Sequence, residues 1–293
     1  MKVGFIGLGR MGSGMAQRIL SGGHDLAVFD VMRERTTALA EAGARAAASI
    51  ADVCAGREIV ITMLAEDAHV HDVAFGAGGL RDSLPAGAVH LAMGTYGIGT
   101  IRALIAAHAR AGQGLVAAPV LGRPDLAASG QLGIVAAGAP EAVARCEPLL
   151  GIIGRHTLHV GAEPEAASAL KLANNLVLGC AIEAMGEAFS LVRKYGVAPQ
   201  VLYDVMTEGL FAGPAYKVYG QIIVDEAYDR AGSTINLNLK DANLILSAGE
   251  IARVPLPSGN VFRDRLLGDI AHGDGEKDVA SLAKEQARAC GLE

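Results

Sequence analysis

Apolar residues in the first half of the chain come in short continuous runs, at 3–6, 26–29, 59–64, 89–93, 114–120 and 133–137. Runs of that length read as strands buried on both faces. Between them apolar residues recur with helical spacing at 35–42, 68–73, 101–111 and 141–150. This alternation predicts an α/β domain with a parallel-rich, doubly wound sheet and helices on both faces. Ligands of such sheets gather at the carboxyl ends of the strands. The positions to watch are therefore Met63, Leu64 and Ala65, then Gly94 and Thr95, then Leu121, Gly122 and Arg123.

Near Gly161 the period changes. Residues 163–195 keep helical spacing throughout, enough for a helix on the order of 45 Å at about 1.5 Å per residue. Further helical patterns follow at 199–206, 213–226, 237–251, 259–272 and 278–289, with no convincing strand. The expected organisation is a nucleotide-binding domain at 1–161 and an all-helical domain at 162–293, joined by the long helix.

The most informative stretch is the first. Gly7, Gly9 and Gly12 stand at G-x-G-x-x-G spacing between strand 3–6 and a helical pattern, and Asp30 closes the next strand. Gly7 permits the tight turn, Gly9 lets backbone approach a pyrophosphate, and Gly12 lets helix and strand pack closely. The helix N-terminus then faces the phosphates with unpaired N–H groups. The intervening Leu8, Arg10 and Met11 belong to the same cradle. Asp30 can accept from both ribose hydroxyls and repels a 2′-phosphate, which favours NAD. Arg33 and Arg35, just beyond, could instead grip the 2′-phosphate of NADP, or could be a solvated helix start.

Composition narrows the classes. Apolar residues make up 51% of 293, too many for a disordered chain. The net charge is −6 and the arginines are scattered, which argues against a nucleic-acid surface. No uninterrupted apolar run of membrane length predicts a spanning helix, and the absence of a basic leader makes a cytoplasmic setting the expectation. The four cysteines are far apart, as free thiols in a reducing compartment would be. No H-E-x-x-H or Cys/His cluster suggests a metal, and no G-x-S-x-G suggests a serine hydrolase.

Two charged spots interrupt the helical half. Lys171 and Asn175, in KLANN, are four apart and share a face that Leu178 and Ile182 continue. A desolvated lysine there loses its charge readily and suits general acid/base work, whereas a lysine snorkelling beside a backbone-paired amide would be structural. Lys240-Asp241 opens another apolar helix and reads, alone, as a surface pair or helix-start charges.

Taken together these motifs resemble the β-hydroxyacid dehydrogenases, the family of 3-hydroxyisobutyrate and tartronate semialdehyde dehydrogenases, over essentially the whole chain. GFIGLGRMGSGMA is similar to that family's opening fingerprint, and ITMLAED to its next strand and loop. Gly94-Thr95 falls on its S-T pair, APVLG on its A-P-V-S-G, KLANN on its K-x-x-N-N, and Lys240-Asp241 on its late K-D. The resemblance implies a Rossmann domain with a helical C-terminal domain, hydride transfer between NAD(P) and a small 3-hydroxyacid or semialdehyde, and dimers or tetramers. It implies Lys171 as general acid/base on the substrate oxygen, and Asn175 holding substrate and lysine. Lys240 would lie near the nicotinamide, with Met63, Leu64 and Thr95 along the cofactor path.

The departures bear on substrate. Leu121 replaces the family's carboxylate-binding serine, Arg123 its following glycine, and Gly94 the serine of the S-T pair. An isobutyl group for a hydroxyl makes a more apolar pocket, so the expected substrate is bulkier or less polar than 3-hydroxyisobutyrate. Arg123 either restores a carboxylate partner through a bidentate pair or turns to Asp125. The alternative enzyme is an imine reductase, which resembles the family in fold but usually lacks the lysine. A non-enzymatic dinucleotide-binding module is the alternative from another class, and intact Lys171 and Asn175 count against it.

Overall fold

The computed structural model describes residues 1–292. These form two compact units, 1–171 and 172–292. The division falls inside the 31-residue helix Pro164–Lys194, about ten residues beyond the change of period.

The first unit is built on nine strands: β1 Lys2–Ile6, β2 Asp25–Phe29, β3 Arg45–Ala46, β4 Ile59–Thr62, β5 Val89–Ala92, β6 Gly114–Ala117, β7 Val120–Leu121, β8 Leu132–Gly138 and β9 Gly154–His159. Their order is β3-β2-β1-β4-β5-β6-β8-β7, with β9 also paired to β8. From β3 to β6 every pairing is parallel. The strand order reverses between β1 and β4, and a doubly wound sheet binds ligands at the carboxyl edge of that reversal. β8 runs antiparallel to β6 and β7, and β9 is parallel to β8.

The central strands are buried on both faces, so their sequences do not alternate, yet their packing does. Val3 and Phe5 of β1 join the same core cluster as Ile59 and Ile61 of β4, whereas Ile6 and Val60 join the cluster on the other face. Met15 and Ile19 of helix Gly12–Ser21 and Leu149, Leu150 and Ile153 of helix Pro140–Ile153 cover the first of those faces.

Two expectations change on this frame. The run 114–120 is not one strand: it breaks after Ala117, where Pro119 brings no N–H to a ladder, and resumes as β7. Helix 35–42 begins as a 3₁₀ turn, Arg33–Thr36, and becomes α-helical only over Thr37–Glu41.

The second unit packs helices Pro199–Glu208, Pro214–Val224, Ile235–Ala252, Pro257–Ala271 and Leu282–Ala289 with the long helix. By length and composition the long helix is apolar enough to cross a membrane, and its Ile182, Met185 and Phe189 are buried in this unit's core. Gly179 lets that helix meet Phe262 closely, because a Cβ there would lie 2.5 Å from the ring.

Candidate active site

The turn from β1 into helix Gly12–Ser21 has the geometry that the three glycines imply. Gly7 has φ +95°, and a Cβ on it would lie 2.5 Å from the Met63 carbonyl. A Cβ on Gly12 would run into the Gly7 carbonyl. A Cβ on Gly9 would meet nothing within 4 Å. Gly9 is therefore not kept small by the protein's own atoms, and its open side fits a pyrophosphate. Leu8 is buried, Met11 half-buried and Arg10 exposed.

Asp30 follows β2 and is 6% exposed. The Leu8 N–H donates to its Oδ2 at 2.7 Å and the Met32 N–H to its Oδ1 at 2.9 Å. Each oxygen keeps a further lone pair for a ribose hydroxyl. Arg33 is exposed at the start of the 3₁₀ turn; it is Arg35 that approaches Asp30, with Nη1 3.6 Å from Oδ1.

Met63 and Leu64 follow β4, and Thr95 follows β5; all three are half-buried at the carboxyl edge of the sheet. Two fasteners join these loops. Asp67 accepts from the Gly97 N–H (3.1 Å) and the Thr100 hydroxyl (2.7 Å). The Leu64 N–H donates to the Tyr96 hydroxyl at 3.2 Å. Tyr96 is 1% exposed, and burial pushes its phenol up to about 12. Tyr96 also explains Gly94, since a Cβ there would lie 2.5 Å from the Tyr96 hydroxyl oxygen. A hydroxyl does stand beside position 94, supplied by Tyr96 and turned to the Leu64 backbone. Tyr96 and Asp67 escaped the sequence reading; polar Thr62 and His90 inside apolar strands were the available signal.

Leu121 lies in β7, half-buried, and Gly122 (φ +146°) bends the chain into helix Pro124–Ser129. Arg123 caps that helix, and among the described residues its Nη1 is buried with no hydrogen-bond partner. A guanidinium nitrogen left unpaired and dry is a strong donor awaiting an acceptor.

In the long helix Lys171 and Asn175 are one turn apart and both half-buried. In the second unit the Asn175 Nδ2 donates to Asp241 Oδ2 at 2.7 Å, joining residues 66 apart in sequence. Lys240 Nζ lies 2.7 Å from Asp241 Oδ1, an ion pair rather than an aligned hydrogen bond. Asp241 is 8% exposed and links Lys240 to Asn175. Its bridging role was not legible from the sequence, where Lys240-Asp241 looked like a local pair.

A glycine turn with an open central glycine and a buried acid after β2 have the geometry of a dinucleotide-binding site. Comparison with known proteins narrows this. Residues 2–161 match the NAD-binding domain of 6-phosphogluconate dehydrogenase, and residues 166–285 match the NAD-binding domain of NADP-dependent 3-hydroxyisobutyrate dehydrogenase. An uncharacterized oxidoreductase of Bacillus subtilis, YfjR, is 37% identical over 97% of this chain and 99% of its own length. The 2-(hydroxymethyl)glutarate dehydrogenase of Eubacterium barkeri is 32% identical over 100% of this chain and 97% of its own. The solved 3-hydroxyisobutyrate dehydrogenase of Mycobacterium tuberculosis with L-serine superposes with a TM-score of 0.87 at 25% identity, over 96% of this chain and 97% of that one. The chain belongs to the β-hydroxyacid dehydrogenase family, as a 3-hydroxyisobutyrate dehydrogenase-like member. An imine reductase from Pseudomonas sp. shares the fold alone, with a TM-score of 0.62 at 23% identity, over 97% of this chain and 98% of that one.

Proposed function

We propose that this enzyme transfers hydride between NAD and a 3-hydroxyacid or the matching semialdehyde, with Lys171 as the proton-transfer group. The observation that carries the reading is the Asn175–Asp241–Lys240 assembly, which joins the two charged motifs of the helical half. The nicotinamide, when bound, supplies the hydride acceptor or donor. In oxidation the Lys171 amine takes the proton of the substrate hydroxyl; in reduction it returns that proton to the new alkoxide. Asn175 donates from Nδ2 to Asp241 and accepts at Oδ1 from the Asn174 amide at 3.4 Å, which orients the side chain proposed to hold substrate and lysine. Lys240, held by its ion pair with Asp241, is the group proposed for the nicotinamide. Backbone of Gly7–Gly12, with Leu8, Arg10 and Met11, carries the pyrophosphate; Asp30 carries the ribose, with Arg33 at its margin. Met63, Leu64 and Thr95 flank the nicotinamide half.

Leu121, Gly122 and Arg123 select the acid. The buried, unpaired Arg123 Nη1 supports a carboxylate partner, and Leu121 supports a larger apolar body than 3-hydroxyisobutyrate offers. The acid named for one relative, 2-(hydroxymethyl)glutarate, has a second carboxylate and is the first to try.

Initial rates with NADH and NADPH against semialdehydes, oxo acids and cyclic imines test the proposal. The expected result is turnover of a bulky or dicarboxylic semialdehyde with NADH. Rates confined to imines would overturn the reading. Lys171→Ala should lose turnover by about 10²–10⁴-fold, the span of general acid/base catalysis, while a nicotinamide fluorescence titration still shows cofactor binding. Comparable activity in that variant would remove the role of Lys171.

A further inference from the structure

The helical unit holds a cavity of about 330 Å³ that no part of the proposed chemistry uses. That volume lies at the small end of ordinary ligand pockets, about 300–1,000 Å³. It opens between the last turns of the long helix, the end of helix Pro214–Val224 and helix Leu282–Ala289. Ser190 lines it, and along the same helix Ser190 lies about 22 Å from Asn175 at about 1.5 Å per residue. The cavity is thus a second place, apart from the face that carries Asn175. Phe189, Ile223 and Ala287 give it an apolar wall. Two hydroxyls also line it. Ser190 is 4% exposed and Tyr228 7%, and neither hydroxyl has a hydrogen-bond partner among the described residues. Buried polar groups are ordinarily paired, and a helical serine can return its hydroxyl to a carbonyl one turn back. Two such groups in one cavity are donors awaiting an acceptor. Burial pushes the Tyr228 phenol up, so that hydroxyl keeps its proton.

Arg193, Lys277 and Lys284 bring positive charge to the same lining, against Glu226 alone. Their partners do not use that charge up. Lys277 and Lys284 share the buried Asp274, at 3.2 and 3.5 Å, with Arg288 at 2.8 Å. Asp229 stands 3.9 Å from Lys277 and Glu226 3.9 Å from Arg193, and both carboxylates are exposed, where water weakens such pairs. Arg193 Nη2 also donates to the Leu292 carbonyl at 3.3 Å, which fixes the guanidinium in place.

We propose that this cavity binds a small organic anion, a phosphate or carboxylate head on an apolar body, separately from the cofactor and the substrate. Arg193, Lys277 and Lys284 balance the charge of the head, and Ser190 and Tyr228 donate to its oxygens. Phe189 and Ile223 pack on the body. A neutral ligand would leave the positive surplus unmatched, and a bare inorganic ion would leave the apolar wall in water. The proposal does not depend on which reaction the enzyme catalyses.

Phenyl phosphate and benzoate share a ring and differ in the head, and benzyl alcohol is the uncharged control. Calorimetric titration of the full chain should show at least one of the two anions binding and the alcohol not; the tighter anion identifies the head. Lys284→Ala should weaken that binding about tenfold, the scale of one charged hydrogen bond, and Ser190→Ala several-fold. Lys194→Ala removes an exposed lysine outside the cavity lining and should leave binding unchanged, as should Arg123→Ala. No heat from either anion at millimolar concentration overturns the proposal. So does binding that Arg123→Ala abolishes, which would put the probe at the proposed substrate end. Equal weakening by Lys194→Ala and Lys284→Ala would reduce the effect to general surface charge and overturn it as well. Should Lys284→Ala fail to fold, Ser190→Ala decides alone, because it removes one oxygen and little packing: binding unchanged in that variant overturns the proposal.

Discussion

Asp30 organises its own loop before any ligand arrives. Its two oxygens already take the Leu8 and Met32 amides, and Arg35 stands close by. Asp30→Ala should therefore show two effects. The ratio of kcat/KM for NAD over NADP should fall, by about tenfold or more, because the carboxylate that repels a 2′-phosphate is gone. Stability should fall by about 1–3 kcal/mol, the cost of leaving the buried Leu8 N–H without an acceptor. Steady-state kinetics with both cofactors and a denaturant midpoint check the pair; an unchanged cofactor ratio would remove the assignment. At this scale the glycines and Asp30 were legible because each role is local to a few neighbours in sequence. Tyr96 and Asp241 were not, because each acts on residues 32 and 66 positions away.

Among the elements, helix Pro257–Ala271 carries a built-in electrostatic cost. Its Asp269 is fully buried and accepts from the Ser281 hydroxyl at 3.1 Å; its Oδ1 has no hydrogen-bond partner among the described residues, with Arg288 Nη1 3.9 Å away. Burial pushes its carboxyl up to about 7, with Glu285 and Asp274 adding to the push. The folded state resists ionising a group that the unfolded chain ionises near pH 4, so its stability contribution is lost as pH rises from about 4 to about 7. Asp269→Asn should be more stable than the wild type by a margin that widens across that window and stays level above it. Urea midpoints at pH 4, 6 and 8 measure this, and a margin independent of pH would refute it. The longer elements were readable from hydrophobic period alone. β9 was not: its GRHTLH is mostly polar and exposed, and its extended form comes from pairing with β8. The short helices Ile50–Cys54, Leu80–Ser83 and Pro124–Ser129 are too brief to show a period.

At the scale of the molecule, the second unit keeps much apolar surface outside its core. Helix Pro199–Glu208 fully buries none of its residues, and Val177, Val205 and Leu210 are 70%, 68% and 95% exposed. Surface of that kind supports the proposal of a homodimer or homotetramer. Light scattering should give a mass that is a multiple of 30.0 kDa, and Val205→Asp should lower it. A wild-type mass of one chain would sink the proposal. The two-part organisation was visible as the change from short apolar runs to helical period. Oligomeric size was not, because one chain's pattern does not distinguish surface left for a partner from surface left to water.

The glycine at 94 has a historical consequence. A side chain there and a tyrosine at 96 exclude each other, so any single-step path from a serine at 94 must pass through the glycine before the aromatic ring arrives. Once the ring is in place the way back is closed. Restoring serine meets the Tyr96 hydroxyl, and removing the tyrosine alone still leaves the Leu64 carbonyl 2.6 Å from where the new Cβ would stand. Glycine at 94 is therefore fixed twice over, by the ring and by the Leu64 carbonyl, and a variant that loses the tyrosine still has no room for a side chain there.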